Sequence, residues 1–83
     1  MEKNNLVTQL IDLSQYETNP FKKRAYLKAS EIIAGMSREE FGARDNFKDI
    51  EGIGDAINKK IMQFKESGFI TKWKELQNQP HAL

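Results

Sequence analysis

Ile50-Glu51-Gly52-Ile53-Gly54-Asp55-Ala56-Ile57-Asn58-Lys59-Lys60-Ile61 sets two glycines, one apolar residue apart, directly against the start of an amphipathic segment. Glycine carries no Cβ, so the pair predicts a tight turn with positive φ that a ligand can approach closely. Ile57, Ile61 and Phe64 follow at helical spacing, which predicts a helix over residues 55–66. The amides of Gly52, Gly54 and Ala56 then face outward at a helix start, where unpaired N–H groups and the helix dipole leave partial positive charge. A phosphate oxygen suits that position. Contacts of this kind hold a nucleic-acid backbone without reading its bases. A Gly-x-Gly also serves as a plain interhelical turn, so the surrounding sequence has to be weighed with it.

Upstream and downstream, every segment with a clear period reads as helix. Leu6, Leu10 and Leu13, with Val7 and Ile11, mark a first helix. Asn19-Pro20 is a start signal, with Asn as cap and Pro at the first helical position. Phe21, Ala25, Ala29, Ile32 and Met36 form the apolar stripe of that second helix, and Gly35 stops it. Ser37-Arg38-Glu39-Glu40 has the form of a capping box and opens a short helix ending near Gly42. Residues 46–50 read as a brief helix, 51–54 as the turn, and Gly68 closes the helix after it. Thr71 caps a last helix carrying Trp73 and Leu76, and residues 78–81 read as a frayed tail. Apolar-x-Gly-apolar-Gly ahead of a basic helix resembles the helix-hairpin-helix DNA-binding motif. The expected fold is all-α: one compact bundle of about four main helices with a single hairpin, ordered over residues 5–78 with flexible termini.

The chain has 83 residues and no cysteine, enough for one small domain and compatible with a reducing compartment, cytoplasm or nucleus. No apolar run approaches the roughly 20 residues that cross a bilayer, and the first residues lack the apolar centre of a signal peptide. An intracellular protein without a membrane partner is expected. Net charge is only +1, yet the cations are clustered. Lys22, Lys23, Arg24 and Lys28 fall together without an acid, and Lys59, Lys60, Lys65, Lys72 and Lys74 face the single acid Glu66. Brought together they make a phosphate-binding face; kept apart they are two solvated helix surfaces.

At about 100° per residue, Lys60 falls at the edge of the Ile57, Ile61, Phe64 stripe and Lys59 nearly opposite. A lysine on the border of a core, among other cations such as Lys59, Lys22 and Lys65, tends toward its neutral, nucleophilic form. The other reading is a stem covering apolar surface with its charge in water. Lys22 and Tyr26 are an i,i+4 pair able to converge on one anion. Phe21 and Trp73 either stack on a base or belong to the core. The only histidine is His81, in the tail. That leaves no support for Ser-His or Cys-His catalysis or for a His-rich metal site. Asp45, Asp49, Glu51 and Asp55 have the spacing of a solvated acidic stretch, not of a divalent-cation loop.

Together, Asn19-Pro20-Phe21-Lys22-Lys23-Arg24-Ala25-Tyr26-Leu27-Lys28-Ala29-Ser30 and the hairpin run resemble, in order and separation, the two signature segments of the N-terminal, lyase-type domain of family X DNA polymerases. The resemblance covers about residues 5–78. It implies a helical domain that binds gapped DNA at its 5′-phosphate and, in several members, removes a 5′-deoxyribose phosphate through a lysine Schiff base. Lys60 matches the Schiff-base lysine. Phe21, Lys22, Tyr26 and Lys59, with the backbone of Gly52, Gly54 and Ala56, fall on DNA- and phosphate-binding positions. A monovalent cation, sodium or potassium, is implied on the main-chain carbonyls of Lys48, Ile50 and Ile53, and no other cofactor is required. Ala56 stands where the family has a second pocket lysine, Phe21 where it has a stacking histidine, Glu51 where it has a proline, and Lys59 where it has an acid. The metal-binding carboxylates of a polymerase belong to a later domain. The resemblance therefore implies a domain cut from a longer polymerase chain or a free-standing module. A protein-interaction module in which the hairpin is only structural is the rival expectation.

Overall fold

Leu6, Leu10 and Leu13 lie one helical turn apart and are all but inaccessible, so the first helix must be covered along its length. In the computed structural model, which describes residues 3–78, α1 (Lys3–Tyr16) is covered by α2 (Pro20–Ala34), packed against it after a three-residue connection. The short α3 (Arg38–Ala43), α4 (Asp55–Ser67) and α5 (Thr71–Asn78) complete the bundle, with α4 on α2 and α5 on α1. There is no strand among the described residues, and no described helix is long and apolar enough to cross a membrane. Apart from Asn78, which ends α5, the expected tail with His81 lies outside the described residues. So do Met1 and Glu2.

Local chemistry sets the helix ends. The Asn19 carboxamide oxygen accepts the amides of Phe21 and Lys22, at 2.9 and 3.3 Å, with Pro20 leading the helix. Ser37 Oγ accepts the Glu40 amide at 3.1 Å. Gly68, at φ 89°, closes α4 in the left-handed region. Two lysines cap helices other than their own: Lys3 Nζ donates to the carbonyls of Ile33 and Ala34, and Lys65 Nζ to those of Phe41, Gly42 and Arg44. Buried Gln9 ties α1 to the turn after α4, accepting the Ile70 amide at 2.8 Å.

Three expectations change. Residues 46–50 form turns in place of a helix, with the Ile50 amide closing on the Phe47 carbonyl three residues back at 3.2 Å. Phe47 donates to Asn58 Oδ1 at 2.7 Å and Lys48 to Asn46 Oδ1 at 3.2 Å. The buried line of α2 is Tyr26, Ala29, Ser30 and Ile33. Phe21 sits about 140° around the helix from Tyr26 and is 78% exposed. Finally, only Gly52 of the glycine pair has positive φ, 99°; Gly54 is extended, at φ −92°.

Gly52 is also tightly packed: a Cβ there would meet Lys28 Cγ at 3.2 Å and Ile32 Cδ1 at 3.3 Å, whereas at Gly54 it would meet nothing within 4 Å. Gly52→Ala is expected to cost about 1–3 kcal/mol, seen as a fall in Tm of roughly 4–8 °C per kcal/mol in thermal unfolding. Gly54→Ser, which adds a capping hydroxyl in open space, should leave Tm unchanged or raise it. Equal losses at both positions would remove the special role of Gly52.

Candidate nucleic-acid interface

The hairpin is built on Phe47 and Ile53, both buried, which anchor the two arms of the turn in the core. Ile50 donates to the Phe47 carbonyl at 3.2 Å and Ile53 to the Ile50 carbonyl at 3.1 Å. The chain therefore turns back before α4 begins. Gly54 is the N-cap and has no side chain to occupy the first-turn amides, so the start of α4 is left uncapped, with Ala56 exposed. That end carries the partial positive charge of the helix.

Beside it lies a recess of about 170 Å³. Lys22, Ala25 and Tyr26 of α2 form one wall, and Ala56, Ile57 and Lys60 of α4 the other. Lys72 of α5 and Glu17, just past α1, close the ends. Ala56, Lys60 and Lys72 also line a wider adjoining groove of about 490 Å³ that includes Lys59.

Lys60 is half-buried, and its Nζ stands 5.9 Å from the centre of the Tyr26 ring. Burial lowers its pKa below the ordinary lysine value, and Lys72 and Lys22 add to the effect; Glu17 opposes them. Tyr26 is pushed the other way by burial and by Glu17, so its phenol stays protonated and able to donate at neutral pH. Glu17 is held below the usual carboxylate range by the Asn19 amide, at 3.1 Å from its Oε1, with help from Lys72 and Lys22. Its Oε2 lies 3.9 Å from Lys72 Nζ.

Lys22, Tyr26, Ala56 and Lys60 are thus brought together, and exposed Lys59 borders the adjoining groove. Gly52 and Gly54 lie exposed in the hairpin, and the Phe21 ring is open to solvent in the first turn of α2. Lys65 is not part of the cationic group; it is committed to α3. Trp73 is no free stacking ring, since its Nε1 donates to Asp12 Oδ2 at 2.9 Å and its face packs on the core. Two members of the recess had no signal of their own in sequence. Lys72 was one cation among five, and its place depends on how α5 folds back after Gly68. Glu17 is an acid in a short connection, with no motif to mark it.

A glycine turn feeding an uncapped helix is the arrangement of a hairpin domain. The chain belongs to the helix-hairpin-helix domain family, whose profile matches residues 1–70. Neither a curated protein nor a solved structure matches the chain.

Proposed function

We propose that this domain binds gapped or 5′-phosphorylated DNA without sequence preference, in DNA repair, and that Lys60 removes a 5′-deoxyribose phosphate as a Schiff-base nucleophile. Membership of the helix-hairpin-helix family supports DNA binding in general. The observation that carries the finer reading is the convergence of Lys22, Lys60, Lys72 and Tyr26 in one recess beside the uncapped end of α4. In this reading the hairpin amides hold an adjacent backbone phosphate, and Lys22, Lys72 and the Tyr26 phenol hold the terminal one. Phe21 stacks on an exposed base, and Lys59 follows the strand.

The chemistry follows from a desolvated amine. Neutral Lys60 Nζ attacks C1′ of the ring-opened sugar, and loss of water leaves an imine. A proton is then lost from C2′ to solvent, giving a C1′=C2′ enamine with the C=N pair on nitrogen; return of that pair re-forms C=N and makes C2′=C3′ as the C3′–O bond breaks and the phosphate departs. Hydrolysis frees Lys60. The imine is the electron sink. A sodium or potassium ion on the main-chain oxygens of Lys48, Ile50 and Ile53 belongs to the same proposal. Oxygen donors suit a hard cation, and the Ile50 carbonyl keeps a lone pair after accepting the Ile53 amide. Such an ion would fix the turn and screen the phosphate. A polymerase domain beyond this chain is the natural partner of such an activity, and a nuclear or cytoplasmic setting suits it.

Binding to one-nucleotide gapped DNA, titrated with salt, tests the reading. Affinity should fall linearly on a log–log plot, and Lys22→Ala or Lys72→Ala should each reduce the slope by about 1. Removing the 5′-phosphate should weaken binding by the native chain more than by either variant. No binding at low salt would favour the interaction-module alternative. That rival is poorly served by the acidic middle of the chain: Glu40 and Asp49 are paired with Arg44, and Asp55 with Lys48.

A further inference from the structure

A carboxylate in a recess meant for phosphate is a contradiction that needs an explanation. Glu17 lines the recess together with Lys22, Lys60 and Lys72, and its side chain is only 13% exposed. It is not there by chance of a mobile chain. The Asn19 amide binds its Oε1, and that same Asn19 caps α2, so the connection that starts α2 also fixes the carboxylate. Its other oxygen faces Lys72 at 3.9 Å.

We propose that Glu17 is an internal counter-anion of the recess, balancing its ammonium groups in the free domain and giving up Lys72 to the incoming phosphate. The inference rests on the phosphate-binding reading above. Its logic is electrostatic. Three ammonium groups lining one recess repel, and one carboxylate among them lowers that repulsion, so the recess can stay formed without ligand. The same carboxylate repels phosphate and competes for Lys72. It therefore sets affinity below the maximum the lysines allow. It also raises the proton affinity of Lys60 in the free domain, opposing the effect of Lys72 and Lys22. Glu17 is a positioning residue here, acting through Lys72 and Lys60.

Other charges around Lys60 bear on its titration. Lys22 and Tyr26 face it from α2, Lys72 and Glu75 stand on α5, and Asp55 and Lys59 are its neighbours on α4. Removing the Glu17 charge leaves burial, Lys72 and Lys22 acting on Lys60, all of which favour the neutral amine.

Glu17→Gln keeps an oxygen for the Asn19 amide and removes only the charge. Gapped DNA with a 5′-phosphate should bind this variant about three- to tenfold more tightly than the native chain. Gapped DNA with a 5′-hydroxyl should gain much less, because the penalty scales with the ligand charge in the recess. Independently of DNA, the Lys60 amine, followed by NMR of its side-chain carbon, should titrate at lower pH in Glu17→Gln and at higher pH in Lys72→Gln. A Lys60 titration that does not move in either variant overturns the inference, as does weaker or equal binding of the 5′-phosphate by Glu17→Gln. A native chain that ignores the 5′-phosphate overturns the functional reading as well, whereas a native preference with no gain in Glu17→Gln overturns the counter-anion alone.

Discussion

Lys60→Ala is expected to abolish the covalent adduct that borohydride traps between this domain and an incised abasic DNA, while the variant remains folded and still binds gaps. The expectation rests on position. Lys60 is half-buried between α2 and α4 with Tyr26 beneath it and Lys22 and Lys72 near, and burial together with those cations favours its neutral form. Lys65, five residues further along α4, is spent on carbonyls at the end of α3. Loss of one cation should cost gap binding no more than about tenfold, whereas trapping should drop to background because the nucleophile is gone. In the native chain trapping should rise with pH and reach half its maximum below the ordinary lysine pKa of about 10.4. Lys22→Ala should weaken trapping through poorer docking and leave that pH midpoint higher, since a cation that favours neutral Lys60 has been removed. Equal trapping by native protein and Lys60→Ala would move the nucleophile elsewhere. Absence of trapping despite tight gap binding would leave a DNA-binding domain without lyase chemistry.

The sequence carried the parts of this site that local rules govern. Asn19-Pro20 forms the cap as read, and Ser37 caps α3 through the Glu40 amide while the Glu40 carboxylate pairs with Arg44. Lys60 at the stripe edge and Lys59 away from it follow from helix geometry alone. What was not legible depends on contacts between distant residues. The Phe47 amide is held by Asn58, eleven residues on, and no local pattern predicts that choice. Phe21 was placed by spacing on the apolar stripe with Ala25 and Ala29, but the buried line of α2 is centred further round the helix and takes Tyr26 instead. Lys72 and Glu17 meet only because α5 returns across α1, and the sequence separation between them hides the pair. The resemblance to lyase-type domains pointed to Lys22, Tyr26 and Lys60 and was silent on both of those residues.

Phe47→Ala is the substitution expected to damage the fold most, and to take the hairpin with it. Phe47 is fully buried, with its ring 5.5 Å from Phe41, which in turn meets Phe64 of α4 at 6.5 Å between centres. Lys65 Nζ and the Arg44 guanidinium lie over the same ring, at 5.6 and 5.9 Å. The residue is therefore the joint between α3, the hairpin and α4. Truncating a buried Phe costs about 3–5 kcal/mol through lost transfer energy and the cavity left behind. A chain of 83 residues has only about 4–12 kcal/mol in total. Tm should fall by roughly 12 °C or more, with loss of helical circular dichroism at temperatures where the native chain is intact. Phe47→Leu, which keeps most of the volume, should cost much less and retain gap binding. The two variants separate packing from chemistry, because position 47 touches neither the recess nor the exposed hairpin glycines. A Phe47→Ala protein with native Tm would mean that the first arm of the hairpin is held by the Asn58 hydrogen bond alone and that the aromatic cluster carries little of the fold.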